Sequence, residues 1–234
     1  MTYIQLINAV MLKLRENQVT TLTANYTLLI GDLINAAKDQ VETAWQWKCL
    51  SKTTTFNTVA GQETYDLTAL VASGGAVTSA ATTVTTERST PRNNTKDKEP
   101  MVFCTTTGTR LDIKAIDEIK EHRGTRVTAT RQAPTACGFS RTNAGISVEL
   151  YDPADAVYAM SAEMLIRQSA LSATSDVLLV PARPVILLAA AMAAAERGSG
   201  KGQKAELLFQ QADQALQQAM DDDMEGDEMD LITA

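Results

Sequence analysis

Pro184-Val-Ile-Leu-Leu-Ala-Ala-Ala-Met-Ala-Ala-Ala-Glu196 is an aliphatic and alanine run opened by a proline and followed by Arg197-Gly-Ser-Gly-Lys-Gly202. Proline suits the first turn of a helix, where its missing N–H costs nothing, and glycines stop one. The pattern predicts a helix from Val185 to about Arg197, with Pro181 and Pro184 delimiting its start. A turn follows at Gly198–Gly202, then a helix from about Gln203 to Met220 with Leu207, Leu208, Ala212, Ala215, Leu216 and Ala219 facing inward. Alanine lets backbones approach, so the two read as a helical hairpin.

The other end of the chain repeats this logic. Thr2-x-x-Gln5 fits a capping box, and Tyr3, Ile7, Val10, Met11 and Leu14 share one face behind it. After a connector at Asn17–Thr21, a longer helix is expected from about Thr23 to Lys48. Its apolar stripe is Tyr26, Leu29, Ile30, Leu33, Ala37, Val41, Ala44 and Trp45. Gly31 costs about 1 kcal/mol in a helix relative to alanine, so within so strong a pattern it marks a close helix–helix approach.

Between the helical ends the composition changes. Residues 51–142 hold 22 of the 30 threonines, which favours strands there. Ser51–Val59 and Glu63–Thr68 flank Ala60-Gly61-Gln62 and read as a hairpin. Met101–Thr106, Gly145–Tyr151 and Val157–Arg167 read as strands; in the last, Tyr158, Met160, Ala162, Met164 and Ile166 alternate onto one face. Leu111–His122 has a short helical period, and Val177–Val180 is a candidate last strand. Arg88–Glu99 is polar and reads as a loop, while Ala72–Thr86 fits strand or loop.

The expected fold is therefore α+β. Residues 1–50 and 181–220 supply the N- and C-terminal helix pairs of a helical bundle, residues 51–180 form an inserted β-rich domain, and residues 221–234 extend as an acidic C-terminal tail.

The chain has 234 residues, 44% of them hydrophobic and 21% charged, enough for one large domain or two small ones. No apolar run reaches the roughly 18 residues a membrane span needs. The first residues lack a basic n-region and a small-residue cleavage site, so no signal peptide is expected. Cys49, Cys104 and Cys137 show no C-x-x-C spacing and read as reduced thiols. Seven of the 28 acids fall in Asp221–Ala234; removing them leaves 21 acids against 21 Lys and Arg. A neutral body lacks the basic footprint of a nucleic-acid reader.

Catalytic motifs fail one by one. His122, the single histidine, sits in a charged stretch at the end of a short helix and reads as structural or solvated. Ala195–Gly202 resembles a P-loop, but it lacks the first glycine, the Ser/Thr and the preceding strand. Asp221–Gly226 imitates an EF-hand start, yet the twelfth position would be Ile232. Asn93-Asn94-Thr95 is a formal sequon only. No catalytic residue, metal site or cofactor is expected, and the chain reads as a non-enzyme.

Two features remain for partners. Asp221, Asp222, Asp223, Met224, Glu225, Met229, Leu231 and Ile232 mix acids with apolar residues. The segment is either a solubilising tail or an element that docks in a groove rimmed by Lys or Arg. Trp45 and Trp47 read as a packing plug or an interface anchor.

The order of motifs adds a resemblance. Tyr26-x-x-Leu29-Ile30-Gly31-Asp32-Leu33-Ile34-Asn35-x-Ala37-Lys38-x-x-Val41-Glu42-x-Ala44-Trp45-x-Trp47 comes first, then Val59-Ala60-Gly61-Gln62-x-x-Tyr65-x-Leu67. Ile146-x-Val148-x-Leu150-Tyr151-Asp152-Pro153, Leu171-Ser172-x-x-x-Asp176-x-Leu178-x-x-Pro181 and Glu196-Arg197-Gly198 follow. Together these resemble the head-to-tail adaptor, or connector, proteins of tailed bacteriophages, chiefly short-tailed ones.

The resemblance implies a virion structural protein at the head–tail junction, made in the host bacterial cytoplasm. It implies a homo-oligomeric ring, typically of twelve subunits, beneath the portal protein. The helical part would line the channel and meet the portal, and the β part would face the tail nozzle or tail tube. Double-stranded DNA would pass without sequence-specific binding, and the C-terminal segment would tuck against the portal. No membrane is implied. The competing readings are another tail-completion or assembly protein of the virion, and an unrecognised hydrolase.

Overall fold

The computed structural model describes residues 1–23, 25–67, 89–92, 100–126, 131–142, 145–197 and 203–232. The Ala72–Thr86 stretch, most of the polar loop, the sequon and the Gly198–Gly202 turn lie outside the described residues. The chain is α+β, with five α-helices and two sheets among the described residues. It divides into two compact units, residues 1–49 with 170–234, and residues 50–169.

The first unit is helical. Helix α1 (Tyr3–Leu14) starts with the expected capping box, Gln5 Oε1 accepting from the Thr2 N–H at 3.0 Å. It ends where Arg15 takes a left-handed φ of 63° and the Arg15 and Glu16 N–H groups reach back to the Leu12 and Met11 carbonyls. Helix α2 is Asn25–Ala44. Gly31 sits where the Tyr3 ring presses onto α2: a Cβ there would overlap Tyr3 Oη and stand 3.2 Å from Cζ. The buried face of α2 is Thr27, Ile30, Gly31, Ile34, Ala37, Lys38, Val41 and Glu42, a stripe rotated from the expected one. Leu29 and Ala44 are exposed. The rotation is possible because Lys38 and Glu42, one turn apart, neutralise each other inside, Nζ to Oε1 at 3.3 Å.

The alanine helix runs Ala182–Glu196, and the last helix Gln203–Ile232; neither the Val177–Val180 strand nor the helix end at Met220 is found. Val177 forms an isolated antiparallel bridge to Thr2, made by the Tyr3 N–H on the Asp176 carbonyl and the Leu178 N–H on the Met1 carbonyl. We call the alanine helix α4 and the last helix α5, with α3 (Ile116–Thr125) in the other unit. Helix α4 is buried along Val185, Leu187, Ala189, Ala190, Ala191, Ala193 and Ala194, and packs on α1, α2 and α5. Ala205, Leu208, Ala212 and Ala215 of α5 are buried, whereas Leu207, expected inside, is exposed.

The second unit is two sheets sharing one core. One has the order β1 (Ser51–Asn57), β9 (Ala159–Ile166), β4 (Val102–Cys104), β5 (Thr109–Arg110), with β3 (Ser89–Pro91) also on β9. The other has the order β2 (Thr64–Asp66), β8 (Gly145–Leu150), β7 (Ala136–Thr142), β6 (Asp112–Ile113). Met160, Ala162, Met164 and Ile166 of β9 are all buried, as their alternation requires.

The expected hairpin between Ser51–Val59 and Glu63–Thr68 does not form. β1 pairs with β9 and β2 with β8, in different sheets. A tight turn has the Gln62 N–H on the Val59 carbonyl and Gly61 at φ 83°, and the Gly61 N–H is taken by the Ala154 carbonyl. The Tyr65 hydroxyl donates to the Gln62 carbonyl at 3.0 Å and accepts from the Val59 N–H at 3.0 Å. The turn thus carries the chain across the core, and Phe56 and Tyr65 face each other there with ring centroids 5.1 Å apart.

Leu111–His122 likewise divides. Asp112 and Lys114 N–H groups bind the Thr135 and Cys137 carbonyls, so this part joins the sheet and the helix begins only at Ile116. Strand β7 was not expected from its sequence. Its Gly138 admits α3: a Cβ there would stand 2.7 Å from Ile119 Cδ1 and 2.8 Å from the Lys114 carbonyl.

Candidate docking element at the C-terminal helix

In the helical unit, α2 and α5 run in the same direction, both antiparallel to α4. At one end the Arg197 guanidinium, just past α4, lies 4.5 Å over the Tyr26 ring at the start of α2. Nearer the other end, Arg183 of α4 donates to Gln218 Oε1 of α5 at 3.2 Å, and Trp45, just past α2, meets Asp223 of α5. Arg197 also donates to Glu16 Oε1 at 2.7 Å, which raises its pKa further and keeps it charged.

The partner candidates of the sequence fall at that second end. Trp47 is buried, and its indole N–H donates to the Val41 carbonyl at 2.7 Å, satisfying a carbonyl in the last turn of α2. Trp45 is half-buried, and its indole N–H donates to Asp223 Oδ2 at 3.0 Å. The same oxygen accepts from the Lys48 backbone N–H at 3.4 Å, the first residue of a 3₁₀ turn, Lys48–Leu50.

Asp221 and Asp222 are exposed, and Met224 is 44% exposed. Glu225, Met229, Leu231 and Ile232 lie on the last turns of the helical backbone. The EF-hand-like Asp221–Gly226 is therefore helix, not a loop. Nine residues, 224–232, follow Asp223 in α5; at 1.5 Å per residue they extend about 14 Å beyond its contact with Trp45.

The structure brings Trp45 to Asp223 and leaves Trp47 in the core. Sequence reasoning missed the Lys48 N–H, since backbone donors leave no mark on composition. It also missed the burial of Lys38, for which the Lys38–Glu42 spacing within an apolar stripe was an available signal.

The residues weighed for chemistry have structural partners. His122 Nε2 lies 3.0 Å from Asp152 Oδ1, and its ring stacks on Tyr151 with centroids 4.0 Å apart. Asp152 is also bound by Arg126 at 3.4 Å and by Gln132 Nε2 at 2.9 Å. Arg123 adds ion pairs to Glu149 at 2.5 Å and Glu63 at 3.1 Å, and Arg126 pairs with Glu63 as well. This lattice braces α3 on its sheet. Burial pushes the Cys137 thiol up to about 12, so it stays protonated. Among the described residues no group of three or more His, Cys, Asp or Glu could hold a metal ion. None of the described helices is long and apolar enough to cross a membrane.

The family model described as SU10 adaptor protein matches residues 1–230. The chain belongs to the SU10 adaptor protein family. The resemblance read from Tyr26–Trp47 and the later turn motifs thus holds: this is a phage head-to-tail adaptor family. A search of curated proteins finds no match. Membership in the SU10 adaptor family makes the chain a bacteriophage adaptor, a virion protein that associates with other virion components.

Proposed function

We propose that copies of this adaptor assemble into a ring, of twelve subunits by the resemblance, beneath the portal protein of the capsid. The ring extends the DNA channel and gives the tail nozzle or tail tube its docking platform. The observation that carries this reading is the family match over residues 1–230. Features of the chain support it. Leu28 and Leu29 on α2 and Leu207 and Phe209 on α5 are exposed apolar side chains of the helical unit, surface that a neighbouring copy can cover. Residues 1–220 are neutral, which suits a duct through which DNA must slide, because a basic lining would hold it by counterion release.

In this reading the end of α5 meets the portal. Asp221, Asp222, Glu225 and Asp230 provide charge, and Met224, Met229, Leu231 and Ile232 provide apolar contact. Trp45 acts behind them as an anchor. The test is electron microscopy of the purified chain alone and mixed with the phage's purified portal protein. Rings of high symmetry stacked on portal particles are expected; a chain that stays monomeric with portal present overturns the reading. Co-purification with tails but not with portal would replace it with a tail-completion role.

A further inference from the structure

The last nine residues of α5 are poor helix material. Residues 224–232 carry Glu225, Asp227, Glu228 and Asp230 with no base, and they contain Gly226. Acids near a helix C-terminus face the negative end of the backbone dipole, and the glycine is a further penalty. Nine residues are also below the length at which isolated helices persist in water. Their helicity has to be carried by the anchored part of α5 that precedes them.

The anchor nearest them is Asp223. One carboxylate oxygen accepts from both the Trp45 indole and the Lys48 N–H. The first N–H of a 3₁₀ turn has no partner within that turn, so this carboxylate also caps it. Bonds to a charged acceptor are the stronger kind. The anchoring point is itself firm, because Trp47, two residues from Trp45, is buried and tied to the Val41 carbonyl.

We infer that Asp223 is the positioning residue of the docking helix, holding residues 224–232 in line with α5 in the free subunit. This inference rests on the docking role proposed above. A partner then meets a helix already ordered, and the entropy of ordering is not charged against docking.

The experiment compares the full chain with D223A, D223N, W45F and a chain ending at Asp223. Amide hydrogen exchange is followed in the free proteins, and binding to purified portal protein is measured in parallel. In D223A, exchange of residues 216–232 should rise about tenfold with α2 and α4 unchanged, and portal affinity should fall about tenfold. D223N keeps an oxygen that can accept from both donors and should restore protection to within about threefold. W45F loses one of the two donors and should fall between them. D223A exchanging like the parent over 216–232 overturns the inference, as does D223N behaving like D223A. If the chain ending at Asp223 binds portal normally, the docking role fails instead, and the exchange data still decide what Asp223 does.

Discussion

The Tyr3 phenol occupies the space that a side chain at Gly31 would fill, so α1 crosses α2 at the one residue with no Cβ. In an open helix, glycine to alanine would gain about 1 kcal/mol. Here the added methyl must push the Tyr3 ring from a packed position, an overpacking cost of about 1–3 kcal/mol. G31A should therefore lower stability in chemical denaturation, and Y3F, which removes the overlapping oxygen, should recover most of the loss in the double variant. A G31A protein as stable as its parent would show that the ring relaxes freely.

Gly31 also shows what the sequence made legible. A glycine inside a strong helical period pointed to close approach, and the structure supplies the ring that approaches. Helices with sustained periods were readable in kind and order, as was β9, whose Met160-x-Ala162-x-Met164-x-Ile166 alternation is unbroken. The α2 stripe was misread because Lys38 and Glu42 count as polar singly and are compatible with the interior only as a pair. The Gly61 turn was recognised, but its sequence does not say that the Ala154 carbonyl will take its N–H and send β2 to another sheet. The helix end at Met220 was placed where the inward-facing Leu and Ala period stops. The donors to Asp223 come from Trp45 and Lys48, some 175 residues away or more, and local pattern carries no trace of them.

Lys38 and Glu42 allow a test of that pairing. Both side chains are fully buried, and Lys38 Nζ also lies 3.1 Å from Asp39 Oδ1. Removing Lys38 takes this cation from a buried carboxylate and should cost about 3–5 kcal/mol; removing Glu42 should cost less, because Asp39 still faces Lys38, and replacing both with apolar residues of similar volume should be near neutral. K38M and E42L should each unfold at distinctly lower denaturant than the parent, and the K38M/E42L chain close to it. A double variant as weak as the sum of the two would show that the pair contributes more than mutual compensation.

Asp176 gives the helical unit an acid-sensitive tie. Its carboxylate accepts from the Ser172 and Ala173 N–H groups at 2.8 Å each, and these bonds hold its pKa below the ordinary 3.8. A depressed carboxyl contributes stability above its unfolded pKa and loses it as pH falls through the folded value. The contribution of Asp176 is thus complete near neutrality and disappears below 3.8. Asp176 is only half-buried, so water and salt screen the effect and keep it small. D176N should melt below the parent near neutral pH, and the gap in Tm should close in strong acid. A gap that widens on acidification would reverse the assignment.

Strand β1 carries a prediction in its hydrogen-bond phase. The Thr58 N–H donates to the Tyr158 carbonyl at 2.9 Å, next to the Asn57–Ala159 pair. Counting back by twos, Phe56, Thr54 and Lys52 exchange bonds with β9, while the N–H groups of Thr53, Thr55 and Asn57 point away from it. The described contacts pair β1 with β9 alone, which makes it an edge. Proline is tolerated on an edge strand where the missing N–H faces outward, and not where it belongs to the ladder. T55P should stay within about 1 kcal/mol of the parent, since it removes no ladder bond. T54P strands the Ala162 carbonyl in a buried sheet and should cost about 1–3 kcal/mol for that group alone. Both changes put the same ring one residue apart on the same strand, so intrinsic strand propensity cancels in the comparison. Denaturation midpoints of the two chains read the difference. Equal losses would mean that the outward N–H of Thr55 is paired after all, and a larger loss for T55P would mean that the ladder runs in the opposite phase.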